Sequence, residues 1–301
     1  MQPAYLDAVC EGGEWDVLLA DKSGRAVAAW PIFLKQKGPW RYVAMPALGR
    51  MMGPYLLPEY RCARHEVEIL ETLLDLLPPG LTAFEQDFNY TATNWLPFYW
   101  QGYRQTTRYS YTLDLSDLDA VWKNIKPRYR NQRIRQAKEA VHVTTGCPLL
   151  ELQRLQSLSF ERQGEEPPIS LSLMRRLEDA LAPKGQREIF WATDLQTGAT
   201  HSAGYLAWDA HSAYYLMSGD DPALRNSGAG IYLTWEIIRY SSEVLGLKTF
   251  DFCGSMMRPI ERVRRQFGAE PKPYFRVQKE WSSLAPKGQR EIFWATDLQT
   301  G

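Results

Sequence analysis

The stretch of sequence that decides the fold runs from Ala213 to Phe267 and reads AYYLMSGDDPALRNSGAGIYLTWEIIRYSSEVLGLKTFDFCGSMMRPIERVRRQF. Apolar residues recur in it first with the spacing of a strand and then with the spacing of a helix. The pattern predicts strand Ala213–Ser218, helix Ile231–Leu245, strand Thr249–Cys253 and helix Pro259–Phe267, in that order. The stretch therefore predicts the strand–helix–strand–helix core of an α/β domain.

The hexapeptide Arg225-Asn-Ser-Gly-Ala-Gly230 lies directly before the predicted helix Ile231–Leu245. Its small residues let backbone amides approach a phosphate, and the helix start adds unpaired N–H groups and a positive dipole end. The alternative is a flexible strand-to-helix turn that needs glycine, but the position before an apolar helix favours phosphate binding. We therefore expect six residues to bind the phosphates of a donor: Arg225, Asn226, Ser227, Gly228, Ala229 and Gly230.

Outward from this core, the chain divides into an N-terminal unit, residues 1–108, a second unit, residues 109–281, and a tail, residues 282–301. In the first unit, a hairpin signal at Asp21–Gly24 is followed by alternating strand and helix patterns. In the second, strands and helices alternate from Tyr109 to the end of the unit. This order predicts an α/β fold of the α+β kind, with a mixed sheet.

The tail contains the second copy of an internal repeat. Leu181–Gly198 and Leu284–Gly301 are the same eighteen residues, LAPKGQREIFWATDLQTG. Structural repeats diverge in sequence while keeping their apolar pattern, so letter-for-letter identity indicates a recent duplication, a recombination or an assembly error. The first copy lies where a core strand is needed, so we expect the second copy to be non-functional.

Composition excludes several classes of protein. Hydrophobic residues make up 45% of the 301 residues, which is typical of a folded protein and not of a disordered one. Lysine plus arginine equals aspartate plus glutamate, at 35 each, so the net charge indicates no polyanionic partner such as DNA. The four cysteines contain no C-x-x-C pair, which argues against a metal site. Without a secretory signal or a long apolar segment, we expect a cytoplasmic protein with no integral membrane segment and with reduced thiols.

The order of elements from Tyr109, with a glycine-rich turn after the fourth core strand, resembles the GNAT fold. More narrowly, Leu113–Thr145 and Ala203–Lys279 resemble the FemAB-like (BioF2-like) acyltransferases, which carry two GNAT-like units in tandem. The phrases Phe250-Asp-Phe-Cys-Gly-Ser255 and Pro259-Ile-Glu-Arg-Val-Arg-Arg-Gln-Phe-Gly268 carry most of this resemblance. It implies tandem GNAT-like units, of which the second is complete and the first is short at its N-terminus.

The resemblance implies acyl-CoA as co-substrate, because the R-x-x-G-x-G pattern holds the coenzyme A pyrophosphate in GNAT enzymes. It also implies that the strand Tyr214–Ser218 separates from Phe250–Cys253 to form a slot for the donor thioester. The backbone amides near Met217 and Ser218 would then polarise the thioester carbonyl. The alternative is a plain core strand.

Acyl transfer to an amine needs a base for the ammonium and an acid for the leaving thiolate. Asp251 lies between two phenylalanines, where desolvation would raise its pKa, and Glu261 follows one helix later. Tyr214 is a candidate acid. The alternatives are that Asp251 caps a neighbouring amide and that Glu261 pairs with an arginine on its own helix.

A run of seven cations contains no acidic residue before Glu139: Lys123, Lys126, Arg128, Arg130, Arg133, Arg135 and Lys138. A solvated helix face is one interpretation, and contact with a phosphate or polyanion, including tRNA, is the other.

The function expected from the sequence is acyl transfer from acyl-CoA to an amine on a small molecule or a cell-envelope precursor. Aminoacyl transfer from a charged tRNA to a peptidoglycan precursor and a non-catalytic binding protein are the alternatives.

Overall fold

The computed structural model describes residues 2–161, 167, 169–254 and 256–281. The chain folds into two compact units, one of Met1–Tyr109 with Lys272–Gly301 and one of Ser110–Pro271. The tail, residues 282–301, which contains the second copy of the repeat, lies outside the described residues. The last strand, which the sequence placed in the second unit, belongs mostly to the first, because it pairs with a strand of that unit.

The N-terminal part contains, in chain order, α1 (Pro3–Val9), β1 (Glu14–Lys22), β2 (Arg25–Lys37), β3 (Trp40–Val43), β4 (Tyr55–Leu56), a 3₁₀ turn (Pro58–Tyr60), α2 (Ala63–Asp75), β5 (Leu81–Asp87) and α3 (Leu96–Trp100). The predicted hairpin forms between β1 and β2. Its turn is held by the Gly24 amide, which donates to Asp21 Oδ1 over 3.0 Å.

The following part contains β6 (Arg104–Asp114), α4 (Leu118–Asn124), a π-helical segment (Tyr129–Ile134), α5 (Arg135–Ala140), β7 (Val141–Thr145), α6 (Leu149–Glu161), α7 (Leu171–Leu181), a 3₁₀ turn (Ala182–Lys184), β8 (Arg187–Asp194), β9 (Thr200–Trp208) and β10 (Ser212–Asp220). It continues with a 3₁₀ turn (Arg225–Ser227), α8 (Ala229–Glu243), β11 (Thr249–Asp251), α9 (Arg258–Gln266) and β12 (Glu270–Glu280).

In the first unit, the strands follow the order β1-β2-β3-β5-β12, and β4 pairs with β2. Aromatic side chains fill the core on one face of this sheet, where Trp30 meets Phe98 edge to face with 5.5 Å between ring centroids. Because side chains alternate along a strand, Phe84 joins this core while Glu85 and Asp87 point to the opposite face.

The opposite face of that sheet contains a buried ion pair. Arg276, which is 4% exposed, donates from Nε to Asp87 Oδ1 over 2.7 Å and from Nη2 to Asp87 Oδ2 over 3.0 Å. Glu85 Oε1 lies 3.7 Å from the Nη1 atom of the same guanidinium. Two carboxylates therefore compensate one buried cation within this unit.

In the second unit, the strands follow the order β6-β11-β10-β9-β8-β7. β10 and β11 are parallel, connected through α8, and the other described pairs are antiparallel. The apolar face of α8, including Leu233 and Ile237, packs on sheet residues such as Leu206 and Phe250. The predicted fold class, α/β with a mixed sheet, is confirmed.

Three element boundaries differ from the sequence prediction in ways that affect the site. α8 begins at Ala229 instead of Ile231, so the last two residues of the glycine hexapeptide form its first turn. β11 ends at Asp251, two residues before the predicted end at Cys253, because Cys253 adopts a positive φ of 61°. The sequence also predicts a helix that begins at Pro127 and runs to about Ala140, and the structure has a π-helical segment, Tyr129–Ile134, followed by α5 in its place. Within the described residues, no helix is both long enough and apolar enough to cross a bilayer.

Candidate functional site

The candidate site of the second unit begins where β10 and β11 part. Their parallel pairing runs from Ser212 with Thr249 to Tyr214 with Asp251 and ends there, while β10 continues to Asp220. β11 ends here, so among the described residues the later part of β10 has no ladder partner on this side, and we call this edge the gap. The resemblance implies that the two strands separate at this point.

A β-bulge lies at this point of separation. The register of β10 against β9 shifts between Tyr215 and Met217, so Leu216 is the extra residue. A bulge disturbs the ladder locally and redirects the residues that follow it. Met217 and Ser218, the residues predicted to polarise the donor, come directly after it, and Ser218 is exposed on an otherwise largely buried strand.

The glycine loop, which we define as Arg225–Gly230, forms a 3₁₀ turn that leads through Gly228 into α8. Gly228 has a φ of +77°, the left-handed conformation that glycine adopts at little cost. Most amides around the loop donate within the chain, namely those of Ser227, Gly228, Ala229, Ile231 and Tyr232. Among the described residues, the amides of Arg225, Asn226 and Gly230 find no acceptor, so three donors of the predicted motif are available for an anion.

The second glycine of the motif is required by the chain itself. A Cβ at Gly230 would lie 2.6 Å from Asp220 Oδ1, closer than real Cβ contacts. The Asp220 carboxylate accepts from Ser202 Oγ over 2.6 Å and lies against the first turn of α8, where the helix dipole favours a negative charge. The spacing of the two glycines is therefore explained in part by Asp220, which the sequence analysis did not identify.

The basic segment, which we define as the seven cations from Lys123 to Lys138, borders the glycine loop. Arg133 Nη1 donates to Asn226 O over 3.3 Å, and a Cβ at Gly228 would lie 3.0 Å from Arg133 O. Lys138 Nζ lies 5.4 Å from the ring centroid of Tyr232, in the first turns of α8. Tertiary packing therefore brings two elements that are about ninety residues apart in sequence into one positively charged surface.

The charge of this surface is not compensated locally. In the part of the chain that the structure describes, none of the seven cations forms an ion pair with a carboxylate, and five of them are exposed. Tyr129 lies among Arg128, Arg133 and Arg262, whose charges oppose the rise in its pKa that burial produces. Arg262 extends the positive surface onto α9. A π-helical segment, a rare structure often found at functional sites, carries the centre of this surface.

Asp251 is 4% exposed, and its Oδ1 atom accepts two hydrogen bonds. Ser110 Oγ donates to it over 2.6 Å, and the Cys253 amide donates over 2.7 Å. The second bond stabilises the turn in which Cys253 has a positive φ. The structure thus shows the capping interaction that was the alternative for this carboxylate, and it places Asp251 at the last paired position before the strands part.

Glu261 and Tyr214 have interactions that disfavour the predicted roles. Both Glu261 oxygens accept from Arg265, at 2.9 and 3.3 Å, and this pairing lowers the pKa of Glu261. A carboxylate with a lowered pKa is a weaker base. The Tyr214 hydroxyl donates to Asp209 Oδ2 over 3.0 Å, so it points back to the β9–β10 turn instead of toward the gap.

Two residues near the gap were not assigned a role in the sequence analysis. Arg264 lies over the ring of Phe252, with its Cζ 4.6 Å from the centroid, and also faces Tyr215 at 5.5 Å. His201 contacts the glycine loop through Ser227, with 2.9 Å between Nδ1 and Oγ. Arg264 lies in the phrase Pro259–Gly268 that carries the resemblance, and His201 belongs to no motif. In both cases only the contacts indicate a place near the site. Among the described residues, no group of three His, Cys, Asp or Glu side chains is arranged to hold a metal ion.

Comparisons with known proteins agree with this architecture. A family model described as "Acetyltransferase (GNAT) domain" matches residues 126–276. The structure of FemX superimposes with a TM-score of 0.68 at 14% identity and 88% coverage of both chains. A tandem GNAT protein from the clavulanic acid biosynthesis pathway gives a TM-score of 0.57 at 14% identity, covering 91% of this chain and 85% of the other.

The C-terminal domain of a putative lysylphosphatidylglycerol synthetase from Agrobacterium fabrum gives a TM-score of 0.58 at 13% identity, covering 100% of this chain and 94% of the other. Identities this low establish the shared fold alone. No curated protein matches the sequence. The family match spans half of the chain and includes the glycine loop, the parting strands and most of the basic segment. This protein therefore belongs to the GNAT acetyltransferase domain family.

Proposed function

We propose that this protein transfers an acyl group from acyl-CoA to an amine nitrogen by direct attack on the thioester. The observation that carries the proposal is the glycine loop, where three amides without acceptors lie at the start of α8 beside Arg133. Amide donors, a helix N-terminus and guanidinium groups together favour a pyrophosphate. Arg225 is exposed and adds a further guanidinium at the same loop.

In the proposed reaction, the amine lone pair attacks the thioester carbonyl carbon and forms a tetrahedral intermediate. The intermediate collapses with cleavage of the carbon–sulfur bond, the sulfur takes a proton, and the nitrogen loses one. Amides at Met217 and Ser218 would stabilise the oxyanion from the strand that lies beside the gap. We assign the proton-accepting role to Asp251 in preference to Glu261, because the Glu261 carboxylate is bound by Arg265.

Titration with coenzyme A tests the donor. We expect a saturable thermal stabilisation of the purified protein, competed by acetyl-CoA and weakened in a variant that combines Arg225→Ala with Arg133→Ala. The absence of any stabilisation by coenzyme A at millimolar concentration would overturn the proposal. Stabilisation without turnover of any amine tested would favour the non-catalytic binding protein.

The Asp251→Asn variant tests the base. Asparagine Oδ1 can still accept from Ser110 and from the Cys253 amide, so the fold should persist while the proton acceptor is removed. We expect kcat to fall by about 10²–10⁴-fold, the usual contribution of general base catalysis. Ser110→Ala is the matched control, because it removes one hydrogen bond and leaves the carboxylate. A kcat for Asp251→Asn within about threefold of wild type would contradict the assignment.

Aminoacyl transfer from a charged tRNA is the second candidate, and the basic segment favours it. Its seven cations, without ion pairs among the described residues, adjoin the proposed donor loop. The fold shared with FemX and with a putative lysylphosphatidylglycerol synthetase domain also fits a cell-envelope acceptor. A tRNA affinity that falls steeply with salt, together with no response to coenzyme A, would select this function.

We propose a cytoplasmic location as well. All four cysteines are free thiols in the structure, and burial raises the pKa of Cys10 and Cys147 to about 12. Unpaired thiols are typical of reducing compartments. Fractionation of cells that express the tagged protein would test this location.

A further inference from the structure

A chain of three polar side chains connects the sheet of the second unit to the glycine loop. His201, in β9, is only 6% exposed, and its Nδ1 atom lies 2.9 Å from Ser227 Oγ. Its Nε2 atom lies 3.2 Å from Asp194 Oδ2, at the end of β8. Ser227 itself belongs to the loop that carries the three uncommitted amides.

The Ser227 hydroxyl has three hydrogen-bond partners. Ser227 has one hydroxyl proton, which it donates to Leu224 O over 2.8 Å. Its oxygen also accepts from the Ala229 amide over 3.2 Å. The contact with His201 Nδ1 is the third hydrogen bond of this hydroxyl, and which of the two atoms donates depends on the imidazole tautomer.

The other side of the imidazole faces a carboxylate. Asp194 Oδ1 accepts the amides of Gln196 and Thr197, each over 2.9 Å, and these bonds lower the pKa of Asp194. The β8–β9 turn therefore keeps a carboxylate facing His201 Nε2. Among the described residues, Nε2 makes no hydrogen bond of its own, so the contact between Nδ1 and Ser227 Oγ is the hydrogen bond that orients the ring.

The backbone of His201 contributes to the same arrangement. The Asp221 amide donates to His201 O over 2.9 Å, so the segment that leads from β10 into the loop is bonded to this residue as well. The Asp221 side chain in turn lies 3.6 Å from Arg154 Nη1. His201 is thus bonded to both ends of the segment between β10 and α8.

We propose that His201 is a positioning residue for donor binding, which holds Ser227 so that the Arg225, Asn226 and Gly230 amides converge on the donor pyrophosphate. This inference rests on the proposed function for its ligand, but the loop geometry can be tested without any ligand. Without the bond between Nδ1 and Ser227 Oγ, Ser227 keeps only its contacts within the loop, and the 3₁₀ turn loses this connection to the sheet.

Two similar substitutions separate this role from simple packing. In His201→Asn, the terminal amide lies close to the former Nδ1 position and can still form a hydrogen bond with Ser227 Oγ, through its nitrogen or its oxygen. In His201→Gln, the amide nitrogen reaches the former Nε2 position and the bond to Ser227 is lost. Both replacements are polar, uncharged and smaller than or similar to histidine, so a general packing defect would affect both.

Hydrogen–deuterium exchange of peptides that cover residues 222–232 is the ligand-free test. We expect exchange about tenfold faster in His201→Gln and near the wild-type rate in His201→Asn, the scale of one lost hydrogen bond. Ser227→Ala should reproduce the His201→Gln effect, and the double variant should add little to it. Equal exchange in His201→Gln and His201→Asn would overturn the inference. If His201→Gln does not fold, unchanged exchange in Ser227→Ala would overturn it.

Coenzyme A binding and kinetics are the second test. We expect the Kd for coenzyme A and the KM for the donor to rise about tenfold in His201→Gln, with the KM for the acceptor unchanged. A wild-type protein that does not bind coenzyme A would refute the proposed donor, while the exchange experiment would still decide the role of His201. Binding by wild type with no weakening in His201→Gln would refute the positioning role alone.

Discussion

Positive charge gathers at two places in this chain, and the two places differ in how it is compensated. In the first unit, Arg276 is buried and shared between Asp87 and Glu85. In the second, the basic segment lies at the protein surface without a carboxylate partner among the described residues. A compensated buried charge constrains the fold, whereas an uncompensated exposed charge attracts an anionic ligand. On this difference we propose a structural role for the first place and a binding role for the second.

The largest effect is expected on the free energy of unfolding, at the buried ion pair of Arg276. Arg276→Met leaves the Asp87 and Glu85 carboxylates buried without their cation, so the free energy of unfolding should fall by about 3–5 kcal/mol. Urea denaturation measures this loss. Arg265→Met, at an exposed pair on α9, is the matched control and should leave stability nearly unchanged. A loss below about 1 kcal/mol for Arg276→Met would contradict the structural role of this ion pair.

The next effect concerns the crowded glycine beside the binding surface. Gly230→Ala places a methyl group against Asp220 Oδ1 and should lower the free energy of unfolding by about 1–3 kcal/mol, as overpacking does. Thermal or urea denaturation measures it. In an Asp220→Ala background, the same substitution should cost much less, because the crowding partner is gone. An equal cost in both backgrounds would mean that Asp220 does not explain the glycine.

A smaller effect on binding is expected from single uncompensated cations. Arg133→Ala should weaken coenzyme A binding by about five- to tenfold, the scale of one charge-assisted hydrogen bond, and leave the unfolding midpoint unchanged. Calorimetric titration at two salt concentrations measures it. The matched control is Arg239→Ala on α8, whose guanidinium already pairs with Glu236 and Glu243. Equal weakening by both variants would erase the distinction between paired and unpaired arginines.

The smallest effect is expected at Glu261. Arg265 lowers the pKa of this carboxylate, so the pair contributes stability above the ordinary pKa of glutamate and loses it as pH falls through the lowered value. The pair is exposed, so Glu261→Gln should change neither kcat by more than about twofold nor stability by a resolvable amount. Rates and urea midpoints at pH 7 and pH 3.5 measure both. A large loss of kcat would restore Glu261 as the candidate base.

Sequence patterns predicted the elements of the second unit better than their ends. The apolar period identified α8 and β11, because burial on one face repeats at the spacing of each structure. It did not locate the start of α8 at Ala229, since alanine and glycine carry no apolar signal. The apolar period also did not predict that β12 belongs mostly to the first unit. An apolar strand pattern does not specify which other strand it pairs with.

The sequence by itself determined the fold class, the order of strands and helices, and the glycine loop before α8, because each depends on neighbouring residues. Only the tertiary structure decided how the loop is held and what charge faces it. Asp220 lies against Gly230, His201 bonds Ser227, and Arg133 bonds Asn226. These contacts join different elements of the sheet and its helices, so their pairing depends on how the elements pack and not on any local pattern of residues.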